Sequence, residues 1–208
     1  MFLTFVPRRR IRKSAYRLAG TAHLGFAELM RALIIFFGFL VSVSCAEEKI
    51  WHVKAIHPEG KLLDVKAIDK QGGIHSVKAI ETDGNLHLLD IKALIGGKRL
   101  PVKILVSDDK YAPVKAIGEN GAIIDIKAIT AEGQKLDVKG VKRSGSIIHI
   151  KAIAADGTFY GVKALSPEGR VYDVKGIKMS PEREETKVNG VSVAAHIKAL
   201  PQASETVK

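Results

Sequence analysis

Apolar and polar residues alternate along residues 47–200, and a longer period is laid over the alternation. The tetrad Val53-Lys54-Ala55-Ile56 recurs in closely related form from Val65, Val77, Ile91, Val102, Val114, Ile126, Val138, Ile150, Val162, Val174 and Ile197, mostly at steps of twelve residues. Units are counted from the residue after each turn, so that one unit runs from Lys61 to Gly72. The second and third positions are then apolar, the fourth is usually aspartate, the tetrad fills the fifth to eighth, and glycine normally closes the unit at the twelfth. Turn cores such as Pro58-Glu59-Gly60, Ala155-Asp156-Gly157 and Pro167-Glu168-Gly169 predict a type I turn whose last residue takes positive φ. One unit is therefore a strand followed by a short turn.

Alternation sorts the side chains of each strand onto two faces. The third, fifth and seventh positions (Leu63, Val65, Ala67) form a wholly apolar face, while Leu62, Asp64, Lys66 and Ile68 form a face that is charged in its middle. In a hairpin the ninth position meets the first of the next unit. The sixth-position lysine then lies opposite the next fourth-position aspartate, and the small seventh-position alanine opposite a larger aliphatic. The predicted fold is all-β, an up-and-down antiparallel meander of about twelve short strands from 12-residue repeats, closed as a flattened barrel or two-layer sandwich with the Leu63, Val65 and Ala67 face inward. Aliphatics such as Leu62 and Ile68 then border solvent, which leads us to expect self-association or a partner surface.

Other architectures fit less well. A β-solenoid would stack the lysines about 4.8 Å apart in a parallel ladder, where like charges repel, and a β-trefoil needs four distinct strand roles where every strand here obeys one template. A step of eleven between Ile91 and Val102 coincides with Gly96-Gly97, a two-residue hairpin loop that keeps Lys92 opposite Pro101 and Leu94 opposite Arg99. The step of fourteen between Val77 and Ile91 puts two added residues in the loop 82–86. With facing unaltered there, Lys78 is expected opposite both Asp64 and Asp90. One tension remains: identical turns at both ends of a strand demand conflicting hydrogen-bond parity in a simple meander, unless a bulge or a wider turn absorbs it. After Ile177 the template lapses through 178–189, resumes for a last strand near 191–200, and gives way to a polar tail at 201–208.

Ahead of the repeats, Met30-Arg31 is a short basic start, residues 32–43 (ALIIFFGFLVSV) are continuously apolar apart from one glycine and one serine, and Ser44-Cys45-Ala46 offers small residues before a cut at Glu47. That order is a secretory signal peptide over 30–46, with 1–29 an upstream extension. Twelve apolar residues span only about 18 Å of a hydrocarbon core of roughly 30 Å, too little for a membrane helix. A second cut, before Cys45, would make that residue a lipidated first residue, although Ser42 stands where lipoproteins usually carry leucine. With Cys45 removed, neither disulfides nor thiolate metal sites can hold the exported chain together.

Composition adds limits rather than a function. At 46% hydrophobic and 26% charged residues the chain is globular in character. Its net charge of +11 sits largely in the leader, for residues 47–208 hold 26 basic and 21 acidic residues, a net of +5. That value is ordinary for solubility, and with few aromatic platforms for bases no nucleic-acid partner is expected. His52, His149 and His196 occupy the fourth position and read as aspartate replacements opposite lysine. His75, His57 and His87 show no metal-ligand spacing, so neither a metal nor a cofactor is implied. The repeating aspartates make a catalytic carboxylate pair improbable, and no phosphate-loop or nucleophile motif occurs.

The lysine rows are the feature with functional potential. In the meander one row reads His52, Lys66, Ser76, Lys92, Pro101, Lys115, with no carboxylate before Asp125. Lys66 and Lys92 lie two strands apart, about 9.6 Å, so that with Ser76 and His52 they are the predicted anion site. The expected function is an exported, non-enzymatic β-repeat protein with a structural or surface-binding role, secreted, periplasmic or on the cell surface, and binding acidic glycans or headgroups. A second reading turns the sheet inside out as an outer-membrane barrel with a Lys/Asp-lined interior. A third, a secreted enzyme, has little in the sequence to support it. Membrane attachment is expected only through Cys45 or such a barrel.

Overall fold

In a computed structural model, residues 48–81 and 87–202 are described here. The signal segment, the upstream extension, Cys45, the loop 82–86 and the tail beyond 202 lie outside the described residues. The described chain is all-β, with thirteen strands: β1 (Ile50–Ile56), β2 (Leu62–Ile68), β3 (Ile74–Ile80), β4 (Leu89–Ile95), β5 (Lys98–Leu105), β6 (Ala112–Ile117), β7 (Ile123–Ile129), β8 (Lys135–Ser144), β9 (Ile147–Ile153), β10 (Phe159–Leu165), β11 (Val171–Ile177), the short β12 (Thr186–Val188) and β13 (Val191–Pro201). All belong to one sheet, and every pairing is antiparallel. Each long strand pairs with the next long strand in the chain, as an up-and-down order requires.

The turns follow from their sequences. At the first, the His57 carbonyl accepts from Gly60 N–H (2.8 Å), His57 N–H donates to the Lys61 carbonyl (2.9 Å), and Gly60 takes φ 88°. This type I turn closed by a positive-φ glycine recurs at Gly72, Gly121, Gly133, Gly157 and Gly169, where a side chain would strain the backbone. Gly96 and Gly97 (φ 56° and 75°) form the expected two-residue loop, with Lys92 opposite Pro101 and Leu94 opposite Arg99.

Closure comes from pairings between distant strands. The first strand of a trio pairs with the second, the second with the third, and the third returns to the first. In the trio β1, β2 and β3, Lys54 faces Asp64, Lys66 faces Ser76 and Lys78 faces His52. The same cycle relates β6, β7 and β8, then β9, β10 and β11, and finally β4, β5 and β13. Longer pairs β1–β10, β2–β7, β3–β4, β5–β6, β8–β9 and β11–β13 join each trio to each of the others. Four trios linked in all six ways give the connectivity of a tetrahedron, with trios as corners and long pairs as edges.

This arrangement removes the parity conflict. In a flat, open meander the preceding and following strands lie on opposite edges of a given strand. Here β2 meets β1 through residues 62–64 and β3 through 66–68 on one edge, while β7 takes the whole of the other. The first and ninth positions point their backbone groups to the same edge, so identical turns at both ends suit a strand whose two chain neighbours share that edge.

The apolar face is inward, as expected: Leu63, Val65 and Ala67 are 8%, 3% and 0% exposed, and the other third, fifth and seventh positions contribute most of the core. All twelve fifth-position side chains, from Val53 to Ile197, converge on a central void of about 10 Å³, no larger than one water needs. Each strand changes partner within its trio at the fifth position, as β2 does at Val65 between β1 and β3. A round twelve-stranded barrel would be wider. Core volume is also balanced between strands: Ile104 replaces alanine at a seventh position, and two other seventh positions that approach it are Gly140 and Gly176. Aliphatics at the rim are exposed where expected, with Leu62 at 55% and Ile74 at 57%.

Candidate functional site

The outer face carries the chemistry, because the second, fourth, sixth and eighth positions point away from the core. At the middle of each trio, three sixth-position lysines alternate with three fourth-position residues. Lys54, Lys115, Lys127, Lys163 and Lys198 donate to Asp64, Asp125, Asp137, Asp173 and Asp90. His Nδ1 takes the aspartate's place opposite three more, accepting from Lys78 at His52 (2.9 Å), from Lys103 at His196 (2.7 Å) and from Lys175 at His149 (3.2 Å). The reading of these histidines as aspartate replacements is thus borne out in geometry. Burial, followed by the facing lysine, lowers the pKa of all three, which favours the neutral form that accepts from lysine.

Across each long pair the geometry differs, because sixth position meets sixth position. Lys54 faces Lys163, Lys66 faces Lys127, Lys78 faces Lys92, Lys103 faces Lys115, Lys139 faces Lys151 and Lys175 faces Lys198. Like charges directly opposite repel, and the aspartates temper this by bridging: Asp64 also lies 3.5 Å from Lys66, Asp90 3.2 Å from Lys92 and Asp173 3.2 Å from Lys175. The Asp64 carboxyl is held below its ordinary pKa chiefly by the Lys54 hydrogen bond. Burial and the other lysines of its trio lower Lys78 and Lys151. Burial pushes Lys103 furthest, down to about 8, with Lys92 and Lys198 adding to it against the pull of Asp90.

Two expectations change. Lys78 faces His52 and Lys92 rather than Asp64 and Asp90, because β3 and β4 form a long inter-trio pair in which Asp90 slides opposite Ile80. For the same reason the predicted quartet divides. His52, Lys66 and Ser76 do come together in one trio, but Lys92 belongs to another, and Leu94 stands opposite Ser76. Lys66 and Lys92 indeed have no carboxylate directly opposite, yet each has one two residues back on its own strand, Asp64 and Asp90.

Two more lysines lack an aspartate or histidine at the facing fourth position. Lys139 and Lys151 face each other across β8–β9, and their trio neighbours are Pro113 and Gly161, where an aspartate or histidine usually stands. Lys139 retains a distant contact of 3.9 Å with Asp137. Lys151 makes no hydrogen bond or ion pair with the described residues. Sequence inspection could have found them, since Pro113 and Gly161 are visible departures at the fourth position. Beside Lys139 lies an open groove of about 540 Å³ between the β5–β6 connection and the outer side of β8 and β9, lined by Lys110, Tyr111, Lys135, Asp137 and Ile153 among others. Among the described residues no group of three or more His, Cys, Asp or Glu side chains is placed to hold a metal ion.

These features define a closed antiparallel all-β protein whose two faces divide into an aliphatic core and a lysine-rich exterior. The chain belongs to DUF7486, a family of unknown function, whose model matches residues 47–200. No curated protein and no solved structure matches it.

Proposed function

We propose that this is an exported, non-enzymatic β-repeat protein that binds acidic glycans or other surface anions through its outer lysines. The observation that carries the reading is the imbalance on the outer face. Twelve sixth-position lysines converge in threes, with only five aspartates among the residues that alternate with them. Each exposed pair contributes only about 0–1 kcal/mol, so the uncompensated ammonium groups remain available to a polyanion. Non-enzymatic character is supported by repetition, for the titratable groups recur in equivalent cross-strand pairs. The inside-out membrane barrel gains no support from an apolar face that is buried in the core.

Export rests on the tripartite segment at 30–46. Mass spectrometry of the exported form is expected to give a chain starting at Glu47. A diacylglycerol on Cys45 would make it a membrane-anchored lipoprotein, and retention of residues 1–46 would remove the export claim. Binding is tested with the purified protein on sulfated, phosphorylated and uronic-acid glycans and on anionic vesicles. Affinity should fall between about 10 mM and 150 mM salt, as the screening length drops from roughly 30 to 8 Å. Absence of binding at low salt, or binding indifferent to salt, would overturn the reading.

A further inference from the structure

The groove beside β8 and β9 has features that the rest of the lysine face lacks. It is concave, and its volume of about 540 Å³ falls within the roughly 300–1,000 Å³ range of small-ligand sites. Its lining mixes ammonium groups of Lys110, Lys135 and Lys139 with the carboxylates of Asp109 and Asp137. Tyr111 stands in that lining with its ring in a T-shaped contact with Phe159, 6.0 Å between centroids at 87°, and the Lys110 ammonium 5.2 Å from its centroid. Next to it Lys151 is unpaired among the described residues, and the space over Gly161 is open: a methyl group there would meet only Lys151 Nζ and Lys163 Cε, both at 3.8 Å.

Resting on the anion-binding reading above, we propose that this groove is the principal binding site and that its ligand is an acidic oligosaccharide. Lys139 and Lys151 hold a carboxylate or sulfate group of the ligand, and the Tyr111 ring packs against a sugar face. The two carboxylates accept hydrogen bonds from sugar hydroxyls and disfavour the dense charge of a phosphate backbone. A single aromatic ring suits a pyranose face better than a run of stacked bases, which needs several platforms. Phe159 fixes Tyr111 so that little side-chain freedom is lost on binding.

The test uses the exported protein, titrated calorimetrically with a uronic-acid hexasaccharide, a sulfated hexasaccharide and a neutral hexasaccharide of the same backbone. Gly161→Asp installs the carboxylate that five other strands carry at this position. Its φ is not positive and the added Cβ meets only ordinary contacts, so the fold is expected to be retained, and a urea midpoint checks this. Binding of at least one acidic hexasaccharide should weaken about tenfold, as 1.4 kcal/mol per decade makes one charged contact worth. Lys70→Ser changes net charge by the same single unit in an exposed turn and should leave affinity within about twofold. Tyr111→Ala should weaken binding severalfold, and the neutral sugar should bind poorly throughout. Preference between the two acidic sugars separates carboxylate from sulfate recognition. If a Lys66→Ser, Lys92→Ser double variant loses as much as Gly161→Asp, binding is spread over the exterior and the groove proposal falls while the broader reading stands. If the protein binds anionic vesicles or polyphosphate but no acidic saccharide, the ligand class is wrong. If it binds no anion, both proposals fail.

Discussion

Replacing Gly176 by alanine adds one methyl group, and the fold makes that addition costly. Ten of the twelve strands carry alanine or isoleucine at the seventh position, but β8 and β11 carry Gly140 and Gly176. A Cβ at Gly176 would lie 2.4 Å from Ile104 Cδ1 and 3.1 Å from Ile148 Cβ, against a comfortable carbon–carbon separation of about 3.5–4.0 Å. Ile104 cannot simply swing away, for the same Cδ1 lies 3.3 Å from a Cβ built at Gly140, and Ile104 is fully buried. Overpacking of this kind costs about 1–3 kcal/mol, which lowers the melting temperature by roughly 2–4 °C per kcal/mol in a domain of this size. Ile104→Ala alone should cost about 2–5 kcal/mol through the cavity it leaves. In the double variant the new methyl finds room in that cavity, so the combined cost should fall short of the sum by about 1–3 kcal/mol. Urea unfolding of the four proteins measures this coupling. If Gly176→Ala is neutral to within about 0.5 kcal/mol, or the two changes simply add, then β5, β9 and β11 do not meet as the four-trio closure requires.

Acid should unfold the protein through its cross-strand pairs. Asp64 is depressed chiefly by the Lys54 hydrogen bond; at Asp90, Asp137 and Asp173 burial opposes the shift but their lysines outweigh it, so all four titrate below 3.8. Carboxyls depressed in the folded state stabilise it above their unfolded pKa and lose that contribution as pH falls through the folded value. Melting temperature should therefore hold down to about pH 5 and drop below about pH 4, and an unchanged value at pH 3 would refute the pairing. Lys103 carries the opposite signature. Its pKa of about 8 lies below the ordinary 10.5, so the unfolded state binds more protons between those values and stability should rise across that window, with the burial penalty fully present below pH 8. Lys103→Met should be more stable than the parent at pH 7 by circular-dichroism melting and show a flatter alkaline rise; equal slopes in the two proteins would sink the assignment.

Strand positions, the inward face of Leu63, Val65 and Ala67, the turn glycines and the Gly96-Gly97 loop were all legible in the sequence. So were Lys54 opposite Asp64 and the exchange of aspartate for His52, His149 and His196. These features depend on alternation and on turns of a few residues, whose physics is local. Pairing between distant strands was not legible, because every strand obeys the same template and any long strand could lie beside any other. The choice fell to two constraints that act on the whole molecule at once. Identical turns require a strand's two chain neighbours to share one edge, and side chains as small as valine and alanine require a closure tight enough to leave almost no void. That choice sets Lys78 against Lys92 instead of Asp90 and separates Lys92 from His52, Lys66 and Ser76. It also brings Lys139 and Lys151 face to face beside Tyr111. The missing partners of those two lysines were written in Pro113 and Gly161, but their pairing across β8–β9 at the edge of a groove was decided only when the sheet closed.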